Sequence, residues 1–199
     1  MFDCGAWQTN EFFGSRWIQK REEVQQRNLQ LLCSLIVFFS PTFVSMKKVA
    51  VFPGSFDPVT KGHEEIVRRA SSMFDEIIVA IGNNTSKSTL FSVEQRTKWV
   101  TAAFSNLTNV IAVPFDGLTV DFCRKHQASF ILRGVRSVID FEYERGIAGM
   151  NKSLSNEIET VVLFSDPQWS SLSSTIIREI IKNKGDVSQF LPAGVNVYE

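Results

Sequence analysis

From Met46 onward, short runs rich in valine and isoleucine alternate five times with amphipathic stretches. The strand-like runs are 48–52, 76–81, 110–115, 130–132 and 160–164. Helical periodicity falls at 62–73, 93–104, 120–127, 138–154 and 174–184. Apolar runs with so little polar interruption are strands covered on both faces, and a helix between successive strands makes the sheet parallel with right-handed crossovers. The pattern therefore predicts an α/β chain: a Rossmann-like, doubly wound, five-stranded parallel sheet with helices on both faces. Ser92 to Gln95 reads as a capping box opening the second helix, and Gly185 as the residue that closes the last one. In such sheets ligands sit beyond the carboxyl ends of the strands, near the reversal in strand order.

The chain has 199 residues, enough for one domain with an appendage. Lysine plus arginine and aspartate plus glutamate both total 21, so no overall field draws it toward nucleic acid or a membrane. Three cysteines, Cys4, Cys33 and Cys123, lack metal-like spacing and fit a reducing, cytoplasmic setting. The two histidines, His63 and His126, exclude most His-rich metal centres.

Residues 1–45 show no strand–helix alternation and are expected to form an N-terminal extension, non-catalytic and poorly ordered, ahead of a domain spanning 46–199. The apolar run 31–39, stopped by Pro41, is short against the roughly 20 residues of a membrane span. It also makes a poor signal peptide, because acids as well as bases precede it. Translation from either Met1 or Met46 fits such an upstream extension; a membrane or partner-binding arm is the alternative.

Chemistry concentrates in loops that follow strands. After the first strand comes Gly54-Ser55-Phe56-Asp57-Pro58-Val59-Thr60-Lys61-Gly62-His63. This is a Gly/Pro turn running into a helix, whose free N–H groups and dipole favour an anion. His63 in the first turn adds an imidazole, neutral or protonated, able to donate to an oxygen gaining charge; a plain surface histidine is the competing reading. Lys87, in the polar loop after strand two, is either a mobile charge for a second phosphate or a solvated lysine. Arg133 and Arg136 flank Gly134 at the end of strand four and suit a phosphate, unless they are absorbed in ion pairs with Asp140 or Glu144. Those two carboxylates, four residues apart on one helix face, would bind ribose or a metal-bound nucleotide, or merely face solvent. The run Trp169-Ser170-Ser171-Leu172-Ser173-Ser174-Thr175 forms a hydroxyl-rich helix entrance. No Ser/His/Asp triad and no Gly-x-x-x-x-Gly-Lys spacing occurs, so two anion-binding helix starts with a few placed cations imply two phosphate-bearing substrates held together.

Taken in order, Phe52 to His63, Ser86-Lys87, Ile131 to Arg136, Asp140 to Glu144, Trp169 to Thr175 and Gly185 to Pro192 closely resemble the bacterial phosphopantetheine adenylyltransferase family over 46–199. The resemblance implies the nucleotidyltransferase (adenine nucleotide α-hydrolase-like) variant of the doubly wound fold. It further implies a cytoplasmic homohexamer and a penultimate step of coenzyme A synthesis. In that step ATP and 4′-phosphopantetheine give dephospho-coenzyme A and pyrophosphate, with Mg²⁺ as cofactor. On the resemblance, Ser55 meets both substrates. Phe56, His63, Gly134, Val135, Arg136, Glu144 and Trp169, Ser170, Ser171, Leu172, Ser173, Ser174 and Thr175 hold ATP, while Lys87, Thr119 and Arg133 hold phosphopantetheine. His63, Lys87 and Arg133 are the catalytic candidates, and no side chain is assigned to the metal. Ser55 stands where threonine is common. The alternatives are transfer to nicotinate mononucleotide or a polyol phosphate, a non-catalytic nucleotide sensor, or a scaffold tethered through residues 29–44.

Overall fold

The computed structural model describes Arg21, residues 24–27, 47–83 and 89–198. The chain divides into two compact units, Met1–Ser45 and Met46–Glu199. In the first, Arg21 and residues 24–27 are helical. The other readings of residues 1–45, and those of Ser86 and Lys87, fall outside the described residues. No helix among the described residues is long and apolar enough to cross a membrane.

The second unit runs β1 (Val49–Gly54), α1 (Lys61–Ala70), β2 (Glu76–Gly82), α2 (Val93–Ala103), β3 (Val110–Phe115), α3 (Thr119–Lys125), β4 (Phe130–Val135), α4 (Val138–Leu154), β5 (Glu159–Phe164) and α5 (Ser174–Lys182). All five strands are parallel, in the order β3-β2-β1-β4-β5. The chain winds outward from β1 to β3, then crosses back to lay β4 on the other side of β1. The order thus reverses between β1 and β4.

Residue alternation along the strands builds two cores. Ala50, Phe52, Ile77, Val79 and Ile81 face a layer containing Ile66, Val67, Trp99, Val100 and Ile177 from α1, α2 and α5. Val49, Val51, Ile78, Ala80 and Ile131 face the opposite layer, with Val120, Phe122 and Cys123 from α3. Apolar burial on both faces, at about 25 cal/mol per Å², is what drives a sheet of this kind to form.

Several boundaries differ from the sequence reading. β4 extends through Arg133, Gly134 and Val135, because Arg133 and Gly134 pair with Val162 and Leu163 of β5 despite being a charge and a glycine. α1 stops at Ala70 rather than residue 73. The left-handed residue after α5 is Lys184, at φ 60°, and not Gly185. Gly185 is needed there for space, since a Cβ on it would lie 2.6 Å from Ile180 Cγ2. The capping box of α2 forms as read: Gln95 N donates to Ser92 Oγ and Ser92 N to Gln95 Oε1, each at 3.2 Å.

Candidate active site

The β1–β4 ladder includes only Ala50–Phe130 and Val51–Ile131, whereas β1 and β2 pair from Val49–Glu76 to Gly54–Ile81. Beyond Ile131 the two central strands separate toward their carboxyl ends, and the site opens in that gap, where a doubly wound sheet binds its ligands. Arg133 spans it. Its Nη1 donates to Pro53 O at 2.7 Å, its Nε donates to Glu144 Oε2 at 2.7 Å, and its Nη2 donates to Glu144 Oε1.

Two cavities meet at this bridge. The first, about 700 Å³, is walled by the ends of β1 to β4, the turn 115–119 and Ile147, Ala148 and Asn151 of α4. The second, about 450 Å³, lies between the β1–α1 turn, the start of α4 and the start of α5. Pro53, Gly54, Ser55, Arg133 and Glu144 belong to both walls. Thr119 is on the first; Phe56, His63, Gly134, Arg136, Leu172, Ser173, Ser174 and Thr175 are on the second. Val135 is fully buried, and neither it nor Trp169, Ser170 and Ser171 is among the lining residues. The last three form and follow a 3₁₀ turn, Pro167–Trp169, where the Lys61 ammonium sits 5.7 Å from the Trp169 ring centroid.

The β1–α1 turn is tightly specified. Phe56 adopts φ 47° and is almost completely buried, folding back so closely that a Cβ on Gly54 would lie 3.0 Å from its ring. Its edge packs on His63, with ring centroids 5.1 Å apart. The Asp57–Pro58 peptide is cis. Thr60 N donates to His63 Nδ1 at 3.0 Å, the reciprocal bond of a capping box, so the imidazole proton resides on Nε2. Burial first, then the charges of Arg136 and Arg133, push the His63 pKa down to about 4. Of the two forms left open by the sequence, the structure selects the neutral imidazole with one donor, Nε2–H.

Each acid–arginine alternative raised by the sequence occurs. Glu144, the only buried residue of α4, pairs with Arg133, and Asp140 pairs with Arg136 at 3.0 Å. The pairing does not exhaust Arg133: of the five N–H groups of a guanidinium, three are used, leaving one on each terminal nitrogen. Arg136 Nη1 also donates to Leu172 O at 2.9 Å, tying β4 to the entrance of α5. The hydroxyl cluster divides its work. Ser173 caps α5 by accepting from Ile176 N, Ser174 Oγ donates to Pro58 O, and Ser170 Oγ donates to Pro167 O.

Three residues that line the site or hold its loops escaped the sequence reading. Asp57, read only as one member of the Gly/Pro turn after the first strand, is buried and accepts from Leu90 N at 2.9 Å and Phe91 N at 3.0 Å. Arg178 lines the second cavity and donates to Asp57 O at 2.8 Å and Thr175 Oγ1 at 3.1 Å. Arg96 is 2% exposed and donates to three carbonyls. A signal for it existed: it shares the inward face of α2 with Trp99, Val100 and Ala103, an odd place for a charge.

Residues 51–180 match the cytidylyltransferase-like family model. The chain is 46% identical over 147 residues to a phosphopantetheine adenylyltransferase of Levilactobacillus brevis, an alignment covering 74% of this chain and 91% of the relative. It is equally identical over 147 residues to one of Cytophaga hutchinsonii, covering 74% and 98%. Among solved structures, a bifunctional NMN adenylyltransferase/ADP ribose pyrophosphatase of Francisella tularensis superposes with a TM-score of 0.58 at 18% identity, over 73% of this chain and 45% of that one, a likeness of fold alone. With 46% identity over 147 residues to relatives that it covers to 91% and 98% of their length, the chain belongs to the phosphopantetheine adenylyltransferase family.

Proposed function

We propose that this protein transfers the adenylyl group of ATP reversibly to 4′-phosphopantetheine, giving dephospho-coenzyme A and pyrophosphate. The observation that carries the reading is the pair of cavities joined at Ser55, Arg133 and Glu144, with a neutral imidazole and two more arginines on the second. The larger cavity suits the acceptor and the smaller, more cationic one the triphosphate.

The acceptor's phosphate monoester has a second pKa near 6 and is mostly dianionic at pH 7, so no general base is needed. One of its oxygens attacks the α-phosphorus in line, the bond from that phosphorus to the bridging oxygen breaks, and pyrophosphate leaves with the electron pair. The protein's task is to bring two anions together and spread the charge that develops. Arg133, through its two unused N–H groups, and Lys87, which lies outside the described residues, hold the attacking phosphate. His63 Nε2–H donates to a non-bridging oxygen at the α-phosphorus. Arg136 and Arg178 line the path of the outer phosphates.

Mg²⁺ is part of this proposal. Among the described residues no cluster of three His, Cys, Asp or Glu side chains forms a ligand set. The carboxylates at hand suit a hard cation that takes phosphate oxygens and keeps several waters, with Asp140, whose side chain is more exposed than that of Glu144, as the one that would hold it. When bound it supplies neutralising charge on the phosphate oxygens.

The same reading extends to a cytoplasmic homohexamer that binds neither nucleic acid nor membrane. What supports self-association is α4, which exposes Val138, Ile139, Tyr143 and Met150 along 17 residues. The reaction is tested by pyrophosphate release from ATP and Mg²⁺ with a panel of acceptors. Release with 4′-phosphopantetheine, and none with nicotinate mononucleotide or a polyol phosphate, is expected; release with either of the latter alone refutes the acceptor assignment.

A further inference from the structure

Arg96 stands outside both cavities, yet its guanidinium connects the loops that frame them. Its Nη1 donates to Ser55 O at 2.6 Å and to Gly82 O at 3.0 Å, and its Nε donates to Phe91 O at 3.2 Å. Ser55 follows the carboxyl end of β1, Gly82 is the last residue of β2, and Phe91 closes the loop leading to α2. Among the described residues these acceptors are all backbone carbonyls. The carboxylates of Asp57 and Glu94 act on the guanidinium only at longer range, while burial disfavours its charge.

A buried cation is a costly way to fill space. A methionine of similar length would fill it without the desolvation penalty, which is why buried charges are poor evidence of stabilisation. What the planar fork does, and an apolar chain cannot, is fix carbonyls from two loops at a set separation. Asp57 completes the arrangement from the other side. Its carboxylate accepts from Leu90 N and Phe91 N, and its own carbonyl accepts from Arg178 at the edge of the second cavity. The turn carrying Ser55 is thus held by Arg96 from α2 and by Arg178 from α5.

We propose that Arg96 is a positioning residue for group transfer: by gripping the Ser55 and Gly82 carbonyls it sets where the β1–α1 turn stands relative to the end of β2, and hence how the two bound phosphates face each other. The proposal rests on the two-substrate reading above. Ser55 lies on both cavity walls and Gly82 on the first, so a displacement of this turn alters the approach of the reacting groups rather than the number of contacts either substrate makes. Misplacement by about 1 Å costs on the order of a hundredfold in such reactions.

The test compares full-length Arg96→Lys and Arg96→Met with Val100→Ala, a core truncation on the same helix, in steady-state kinetics and thermal melts. For Arg96→Lys, kcat is expected to fall about 10- to 100-fold while KM for both substrates stays within about threefold. Val100→Ala is expected to lower Tm at least as much and keep kcat within about twofold. Equal losses of kcat in Arg96→Lys and Val100→Ala, or a kcat within twofold of wild type in Arg96→Lys, would overturn the proposal. Amide exchange at Leu90 and Phe91 separates this failure from failure of the reaction itself. If wild-type protein forms no dephospho-coenzyme A, the assigned reaction fails, but exchange at these amides should still quicken about tenfold or more in Arg96→Lys and not in Val100→Ala. Unchanged exchange there would dismiss Arg96 as a positioning residue on its own account.

Discussion

His63 is where the site's electrostatics are most exposed to experiment. Its Nδ1 is taken by Thr60 N, and burial together with two guanidinium charges holds its pKa near 4, which leaves a neutral ring with its N–H at Nε2. Proton-coupled NMR should find it neutral at pH 6 with a midpoint near 4; a midpoint above 6 would contradict this. The sign for stability follows from the depressed value. The unfolded histidine binds a proton near pH 6.5 and the folded one only near 4, so this group's contribution is full above pH 6.5 and is lost as pH falls toward 4. His63→Gln should flatten that part of the stability–pH curve. On the proposed mechanism, in which this donor acts on charge present only in the transition state, His63→Ala should lower kcat about a hundredfold or more with little change in KM. Glu144 acts through Arg133 instead. Glu144→Ala leaves a half-buried guanidinium with one carbonyl partner, and should cost about 2–3 kcal/mol in urea unfolding as well as weakening acceptor binding.

At the scale of elements, the ends of helices and strands carry the sharpest demands. Gly185→Ala puts a methyl 2.6 Å from Ile180 Cγ2 just past α5, and should destabilise by about 1–3 kcal/mol, measurable by chemical denaturation, with the active site untouched. Among the described residues, the five strands and five α-helices of the second unit were legible because Val/Ile runs and amphipathic periodicity are local signals. The true end of β4 was not, because Arg133 and Gly134 look like a stop until β5 lies beside them. Likewise the sequence placed Asp140 and Glu144 on one helix face but left their partners open; only folding brings Arg133 across from β4. Asp57, Arg96 and Arg178 depend on contacts 33 to 121 residues away in the chain, which no spacing rule reveals.

For the whole molecule, topology explains why the chemistry sits where it does. Reversal of strand order between β1 and β4 leaves a two-pair ladder that parts toward the carboxyl ends, and Arg133 bridges the opening with a cavity on either side. The exposed apolar side of α4 belongs to this scale too. Ile139→Asp together with Met150→Glu should convert the proposed hexamer into smaller species by light scattering, and an unchanged mass would remove α4 from the proposed subunit contact. The central claim is that the adenylyl group crosses the bridge in one step, from one bound anion straight to the other. The stereochemistry of transfer from ATP made chiral by sulfur at the α-phosphorus tests it most directly. Inversion of configuration in the dephospho-coenzyme A product is predicted; retention, or an adenylylated protein isolated before acceptor is added, would contradict it.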